Sequence, residues 1–164
     1  MICLQETKIA AWTDSLILEA VGADLAQDCV FLPTVGTSGG VLIAASQRFF
    51  RLQHVLTTEN TVFANLVMLA ENISWSISGV YAPQTDAEKN AFIQEITNLK
   101  QHMIPAWLMS GDFNLIYRAQ DKNNNRINLS LLNTFRSTID NLQMAAIDLV
   151  GKNIPGATTS KFRQ

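Results

Sequence analysis

The chain has 164 residues, of which 48% are hydrophobic and 16% charged, with a formal net charge of −2. That length suits one domain and a core that buries about two-thirds of the unfolded surface. No apolar run nears the roughly 20 residues of a bilayer span, and no charged stretch leads an apolar one at the start, so neither a membrane partner nor a signal peptide is expected.

Met1–Gln5 is mostly apolar and reads as a buried strand. Residues 8–22 carry Ile9, Trp12, Leu16 and Glu19 or Ala20 at helical spacing, with Gly22 as the stop. Asp28–Leu32 is a short strand closed by Pro33, Thr34–Gly40 a turn-rich loop, and Val41–Ser46 the strand after it. Phe49–Thr57 alternates, with Phe50, Leu52 and Val55 expected to face inward. Thr61–Ala70 and Ile73–Tyr81 are two more strands, joined by the turn-forming pair Glu71-Asn72. Joints this short call for antiparallel pairing in the middle of the chain.

Ala82-Pro83 ends that series. Residues 85–102 form a helix, with Thr85 and Glu88 in a capping-box pattern and Ala91, Phe92, Ile96 and Leu99 as its apolar face. Pro105 opens the apolar strand that runs to Ser110. Residues 120–127 are loop, and Ser130–Leu142 is an amphipathic helix with Leu131 or Leu132, Phe135, Ile139 and Leu142 on one side. Met144–Val150 is the last strand, and Gly151–Gln164 shows no clear element. The order predicts one α+β or α/β domain over 1–164, with at least one mixed sheet.

The chemistry concentrates at strand ends. Gly111-Asp112-Phe113-Asn114 follows the strand from Pro105, so a carboxylate and an amide stand two residues apart at a sheet edge, where open α/β sheets bind ligands. Asp112 could orient or deprotonate a water and Asn114 could donate to a phosphate oxygen; equally, both could bond their own turn backbone. Glu6 follows the first strand and could hold Mg²⁺, or simply cap the next helix. The Tyr81 hydroxyl could reach a phosphate oxygen, or be an aromatic at a strand edge.

The rest is plainer. His54 and His102 suit structural roles, Gly39-Gly40 a hairpin or bulge, and Met103 and Met109 core filling. Cys3 and Cys29 read as reduced core thiols of an intracellular protein, and two cysteines without paired histidines make no zinc site. The acidic total gives nucleic acid no general attraction, although Lys8, Arg48, Arg51, Arg118, Lys122 and Arg126 could build a local basic patch.

Four segments occur in order: Leu4-Gln5-Glu6-Thr7-Lys8, Ser38-Gly39-Gly40-Val41, Gly79-Val80-Tyr81-Ala82-Pro83 and Gly111-Asp112-Phe113-Asn114. Jointly they resemble the endonuclease/exonuclease/phosphatase superfamily. With the loop Asp121-Lys122-Asn123-Asn124 they look most like the endonuclease domain of plant non-LTR retrotransposons. The resemblance covers residues 1 to about 150 and implies a four-layer α/β/β/α sandwich of two mixed sheets, as in deoxyribonuclease. It implies an Mg²⁺-dependent phosphodiester hydrolase acting on DNA in the nucleus. Glu6 would be the metal ligand, Asp112 would activate or orient the water, and Asn114 and Tyr81 would hold the scissile phosphate.

Some of that family's parts have no counterpart here. These are an Asn on a strand before the Glu, a late Asp followed by Ser-Asp-His, and a clean Gly-x-x-Phe-Thr-Trp stretch within Gly156–Gln164. The resemblance therefore implies a domain incomplete at both ends. Mg²⁺ would be weakly held, activity slight or absent, and the open sheet edges prone to self-association. Two other readings stand beside it: a degenerate, non-catalytic binding module, and a phosphatase for small phosphoesters.

Overall fold

The computed structural model describes residues 1–36, 39–118, 127–147 and 159–163, the last as backbone alone. Among the described residues nine strands run in chain order as β1 (Ile2–Gln5), β2 (Cys29–Leu32), β3 (Val41–Ala44), β4 (Phe50–Thr57), β5 (Thr61–Met68), β6 (Ile73–Tyr81), β7 (Trp107–Asp112), β8 (Ala145–Ala146) and β9 (Thr159–Arg163). The described helices are α1 (Asp14–Val21), α2 (Asp86–Leu99), which tightens into a 3₁₀ turn over Lys100–His102, and α3 (Leu129–Asn141).

The strands build two sheets, ordered β1-β3-β2 and β4-β5-β6-β7-β9-β8. In the larger one β4, β5 and β6 are antiparallel, as their short joints require, while β6 and β7, linked through α2, run parallel. The smaller sheet, expected to be mixed, is antiparallel throughout. The α1 crossover makes β1 and β2 point the same way, but β3 inserts between them and pairs with both.

The layers follow from which faces are apolar. Ile17 of α1 covers Leu42 and Ala44 on the outer face of the small sheet. Val41, Ile43, Val62, Ala64, Leu66 and Ile77 fill the space between the sheets. Phe92, Ile96, Phe135 and Ile139 of α2 and α3 pack on Phe63, Val80, Trp107 and Met109 across the outer face of the large sheet. The stack is helix, sheet, sheet, helices. β7 lies inside the large sheet, so the strand that ends in Asp112 is held on both flanks.

Several sequence expectations are corrected. The first helix starts at Asp14 rather than at residue 8. Glu6 and Lys8 have positive φ (49° and 56°), which no right-handed helix accepts, and the Thr13 hydroxyl caps α1 by accepting from Leu16 N–H at 3.3 Å. Gly22 ends it as expected, with φ 78° and its N–H on the Leu18 carbonyl at 2.9 Å. Thr85 stands at the N-cap of α2, but its hydroxyl donates to the Glu88 carboxylate instead of accepting from the helix backbone.

In β4 the pairing slips between Gln53 and Leu56, and His54 takes φ 46°. This bulge reverses the alternation. Phe50 and Leu52 face the inter-sheet core as expected, but Leu56 turns to the helix side and Val55 to solvent.

The strand expected over Met144–Val150 is only Ala145–Ala146, with 148–150 outside the described residues. The tail, read as having no element, supplies β9. Cys3 and Cys29 form no disulfide and stand on strands either side of β3, Cys3 facing the inter-sheet core and Cys29 the α1 side. Residues 119–126, including the Asp121-Lys122-Asn123-Asn124 loop, and Ser38 lie outside the described residues, as does Gly156. No described helix is long and apolar enough to cross a membrane.

Candidate active site

The parallel pairing of β6 with β7 sets Tyr81 opposite Asp112. Both residues share the parity of Gly79 and Ser110, whose neighbours lie in the facing sheet: a Cβ at Gly79 would stand 2.5 Å from Val41 Cγ1, and Gln5 Nε2 donates to Ser110 Oγ at 3.4 Å. Tyr81 and Asp112 therefore stand at one strand end, looking toward the small sheet.

Glu6 leaves β1 at the same end, immediately after Gln5. The two residues beyond it are tied to the Gly39-Gly40 turn, where Thr7 N–H donates to the Gly40 carbonyl at 3.2 Å and Lys8 N–H to that of Gly39 at 3.1 Å. Gly39 in turn lies on the Tyr81 ring, since a Cβ there would meet Tyr81 Cδ1 at 3.1 Å. The glycine pair thus links the exit of β1 to the end of β6. It has more to do than close a hairpin.

Asn114 completes the cluster. Its backbone N–H donates to Asp112 Oδ1 at 3.0 Å and its side-chain amide to the Ala82 carbonyl at 2.7 Å, with φ 45°. Ala82 N–H meanwhile donates to the Asp112 carbonyl at 2.8 Å. The turn-bonding expected of Asp112 is present, and it also fixes the carboxylate at the strand end. Beyond it, Arg136 of α3 donates twice to the Tyr117 carbonyl (3.1 and 3.0 Å), and Tyr117 O–H donates to Asp140 at 2.7 Å. That hydrogen bond to a carboxylate pushes the Tyr117 phenol up.

Beside this edge is a cleft of about 380 Å³. Leu32, Pro33, Val35, Tyr81 and Pro83 supply its apolar wall, and Asn60, Thr85, Glu59 and Glu88 its polar one. Its charged lining is acidic. The cleft meets the cluster through Tyr81 and Gly39–Gly40, while Glu6, Asp112 and Asn114 do not line it.

The histidines are elsewhere. Gln53, next to His54, is in register with Asn65, then Ser76, then Trp107, which begins β7 five residues before Asp112. At about 3.3 Å per residue and 4.8 Å per strand, that is roughly 16 Å along the sheet and three strands across it. Both histidines sit there, in contact with each other. Of the basic residues read as a possible patch, Lys8 adjoins the edge, Arg51 belongs to the distant corner and Arg48 is paired with Asp24 at 3.3 Å. Lys122 and Arg126 lie outside the described residues.

No protein-family model matches the sequence, and no curated protein matches it. Solved structures do. The catalytic domain of human Nocturnin, with bound sulfate, superposes with a TM-score of 0.60 at 16% identity, over 98% of this chain and 67% of that one. The endonuclease domain of TRAS1, a telomere-specific non-LTR retrotransposon, gives 0.60 at 14% identity, over 82% of this chain and 64% of that one. An endonuclease/exonuclease/phosphatase family protein from Bacteroides thetaiotaomicron gives 0.50 at 7% identity, over 99% and 81%.

The chain has the endonuclease/exonuclease/phosphatase fold. It spans about two thirds of the length of the first two of these proteins. On this fold the residues that the sequence offered as a site, Glu6, Tyr81, Asp112 and Asn114, come to one edge.

The donors at that edge fit Mg²⁺. They are oxygens, from the Glu6 and Asp112 carboxylates, and beside Glu6 the buried Thr7 hydroxyl has no hydrogen-bond partner among the described residues. Magnesium takes one or two carboxylates and keeps several waters. Among the described residues no three His, Cys, Asp or Glu converge. Reading the sequence missed the connectors: Gln5 on Ser110, the Gly40 carbonyl under Thr7, and Arg136 and Asp140 behind Tyr117. Only the glycine doublet carried a signal, as a place where side chains are not tolerated.

Proposed function

We propose that the chain is a Mg²⁺-dependent phosphodiester hydrolase domain of the retroelement DNA endonuclease kind, acting on DNA in the nucleus. The observation that carries this reading is the register of Asp112 with Tyr81, with Asn114 and the exit of Glu6 at the same edge. Glu6 would hold the ion with water, and bound Mg²⁺ supplies charge stabilisation to a phosphate under attack. Asp112, fixed by the Asn114 N–H, would orient the attacking water and accept its proton. The Tyr81 hydroxyl and the second N–H of the Asn114 amide would donate to non-bridging phosphate oxygens.

By the same reading this chain alone turns over slowly. Neither histidine reaches Asp112, and the cleft beside the edge is acidic where a DNA backbone needs cations. These two observations also favour a second reading, a binding module built on a nuclease fold.

Plasmid nicking in Mg²⁺, with chelator and Asp112→Ala controls, tests both. The expected result is nicking barely above background, lost into the background in Asp112→Ala and in chelator. Nicking that persists in the variant and in chelator removes Asp112 and the metal from the proposal. Hydrolysis of a small aryl phosphate with no action on plasmid would move the reading to a phosphatase.

A further inference from the structure

The edge strand β4 is bent where His54 stands. The ladder to β5 slips between Gln53 and Leu56, and His54 adopts φ 46°, in the left-handed region that asparagine, aspartate and histidine enter more readily than other non-glycine residues. The bend brings His54 to His102, in the 3₁₀ turn that ends α2. His54 Nε2 and His102 Nδ1 are 3.3 Å apart, and the rings are 5.3 Å apart at 34°. The buried Phe63 ring backs both, edge-on to His54 at 6.3 Å and tilted to His102 at 6.5 Å. His54 is exposed and His102 half-buried, so the pair has hydrocarbon behind it and water in front.

Two imidazole nitrogens bound at 2.0–2.1 Å to one tetrahedral ion stand about 3.3 Å apart. The observed separation matches that distance, as it also matches an N–H···N hydrogen bond. We propose that His54 and His102 form a two-imidazole site for a transition ion of the Zn²⁺, Ni²⁺ or Cu²⁺ class, with water filling the remaining positions. Mg²⁺ and Ca²⁺, which prefer oxygen, would pass it by. The site is independent of the Asp112 edge, since it lies three strands away at the other end of the sheet. An ion there would clip the bent edge strand to the end of α2. Binding to the folded chain alone raises the folded-to-unfolded ratio, about a hundredfold at a hundred times Kd.

Calorimetric titration of Zn²⁺ into the full chain, with excess Mg²⁺ present, should show one equivalent bound and an accompanying rise in Tm. His54→Ala and His102→Ala should each weaken binding at least about tenfold, because a lone surface imidazole forms no chelate. A Cys3→Ser, Cys29→Ser double variant should bind like the wild type. The Cu²⁺ electron spin resonance spectrum of the wild type should carry hyperfine structure from two imidazole nitrogens, a readout that does not depend on any variant folding. Unchanged affinity in both histidine variants, a copper spectrum without imidazole nitrogen, or no zinc bound at millimolar concentration overturns the site and leaves a simple N–H···N hydrogen bond.

Discussion

At Gly40 the backbone has φ 87°, and a Cβ there would stand 2.3 Å from the Thr7 hydroxyl oxygen. An alanine would be strained by its own φ and would press on the segment that carries Glu6. Gly40→Ala should lower stability by about 1–3 kcal/mol, read as a shift in the urea midpoint at constant slope. Gly111 is stricter: its Cβ would lie 2.0 Å from the Val80 carbonyl oxygen, which is backbone and cannot step aside. Cys29 offers a different test. Burial first, then the charges of Asp28 and Asp14, push its thiol up. The fold thus favours the protonated thiol, and that contribution is full below the ordinary thiol pKa and lost as pH rises past it. Alkylation of Cys29 at neutral pH should be slower than that of an unstructured cysteine, and faster in Asp28→Asn. At this scale the sequence was partly legible. Asp112 and Asn114 announce themselves as a polar pair after an apolar strand, whereas the place of Glu6 depends on Gly40, far along the chain.

The turn between β4 and β5 shows how one helix residue supports an element. Glu95 of α2 accepts from the Thr58 hydroxyl at 2.5 Å, the Asn60 N–H at 3.1 Å and the Asn60 amide at 2.9 Å. Asn60 is also the acceptor for Tyr81 N–H at 2.9 Å, so the turn borders the candidate site. Glu95→Ala leaves these donors to find water, and a loss of about 2 kcal/mol is expected in chemical denaturation. Strands β4, β5 and β6 were legible because alternating apolar residues and turn pairs act locally. The bulge was not, because nothing in Gln53-His54-Val55 marks an extra residue until Phe63 and His102 are placed beside it. Nor was β9. Thr159-Ser160-Lys161-Phe162-Arg163 has one apolar side chain and becomes a strand by pairing with the flank of β7.

At the scale of the molecule, the described strands leave β4 and β8 as edges of the large sheet and β1 and β2 as edges of the small one. Near the β4 edge, Phe49 (58% exposed), Leu69 (40%) and Ile73 (51%) meet at one corner, with Leu69 N–H on the Phe49 carbonyl and Met68 in register with Ile73. An unpaired strand beside exposed apolar side chains is a surface that associates. Sedimentation velocity should show the weight-average mass rising with concentration, and Phe49→Ser should reduce that rise. A single species at every concentration would remove the expectation. The position of β7 between β6 and β9 has one more consequence, in time rather than space. During synthesis β6 is made before β7 and can receive it, but residues 159–163 emerge well after Asp112 does. Until then the strand that ends in Asp112 has one open flank on the ribosome, and a nascent chain stalled in that interval presents a sticky ladder where the finished protein has a closed one.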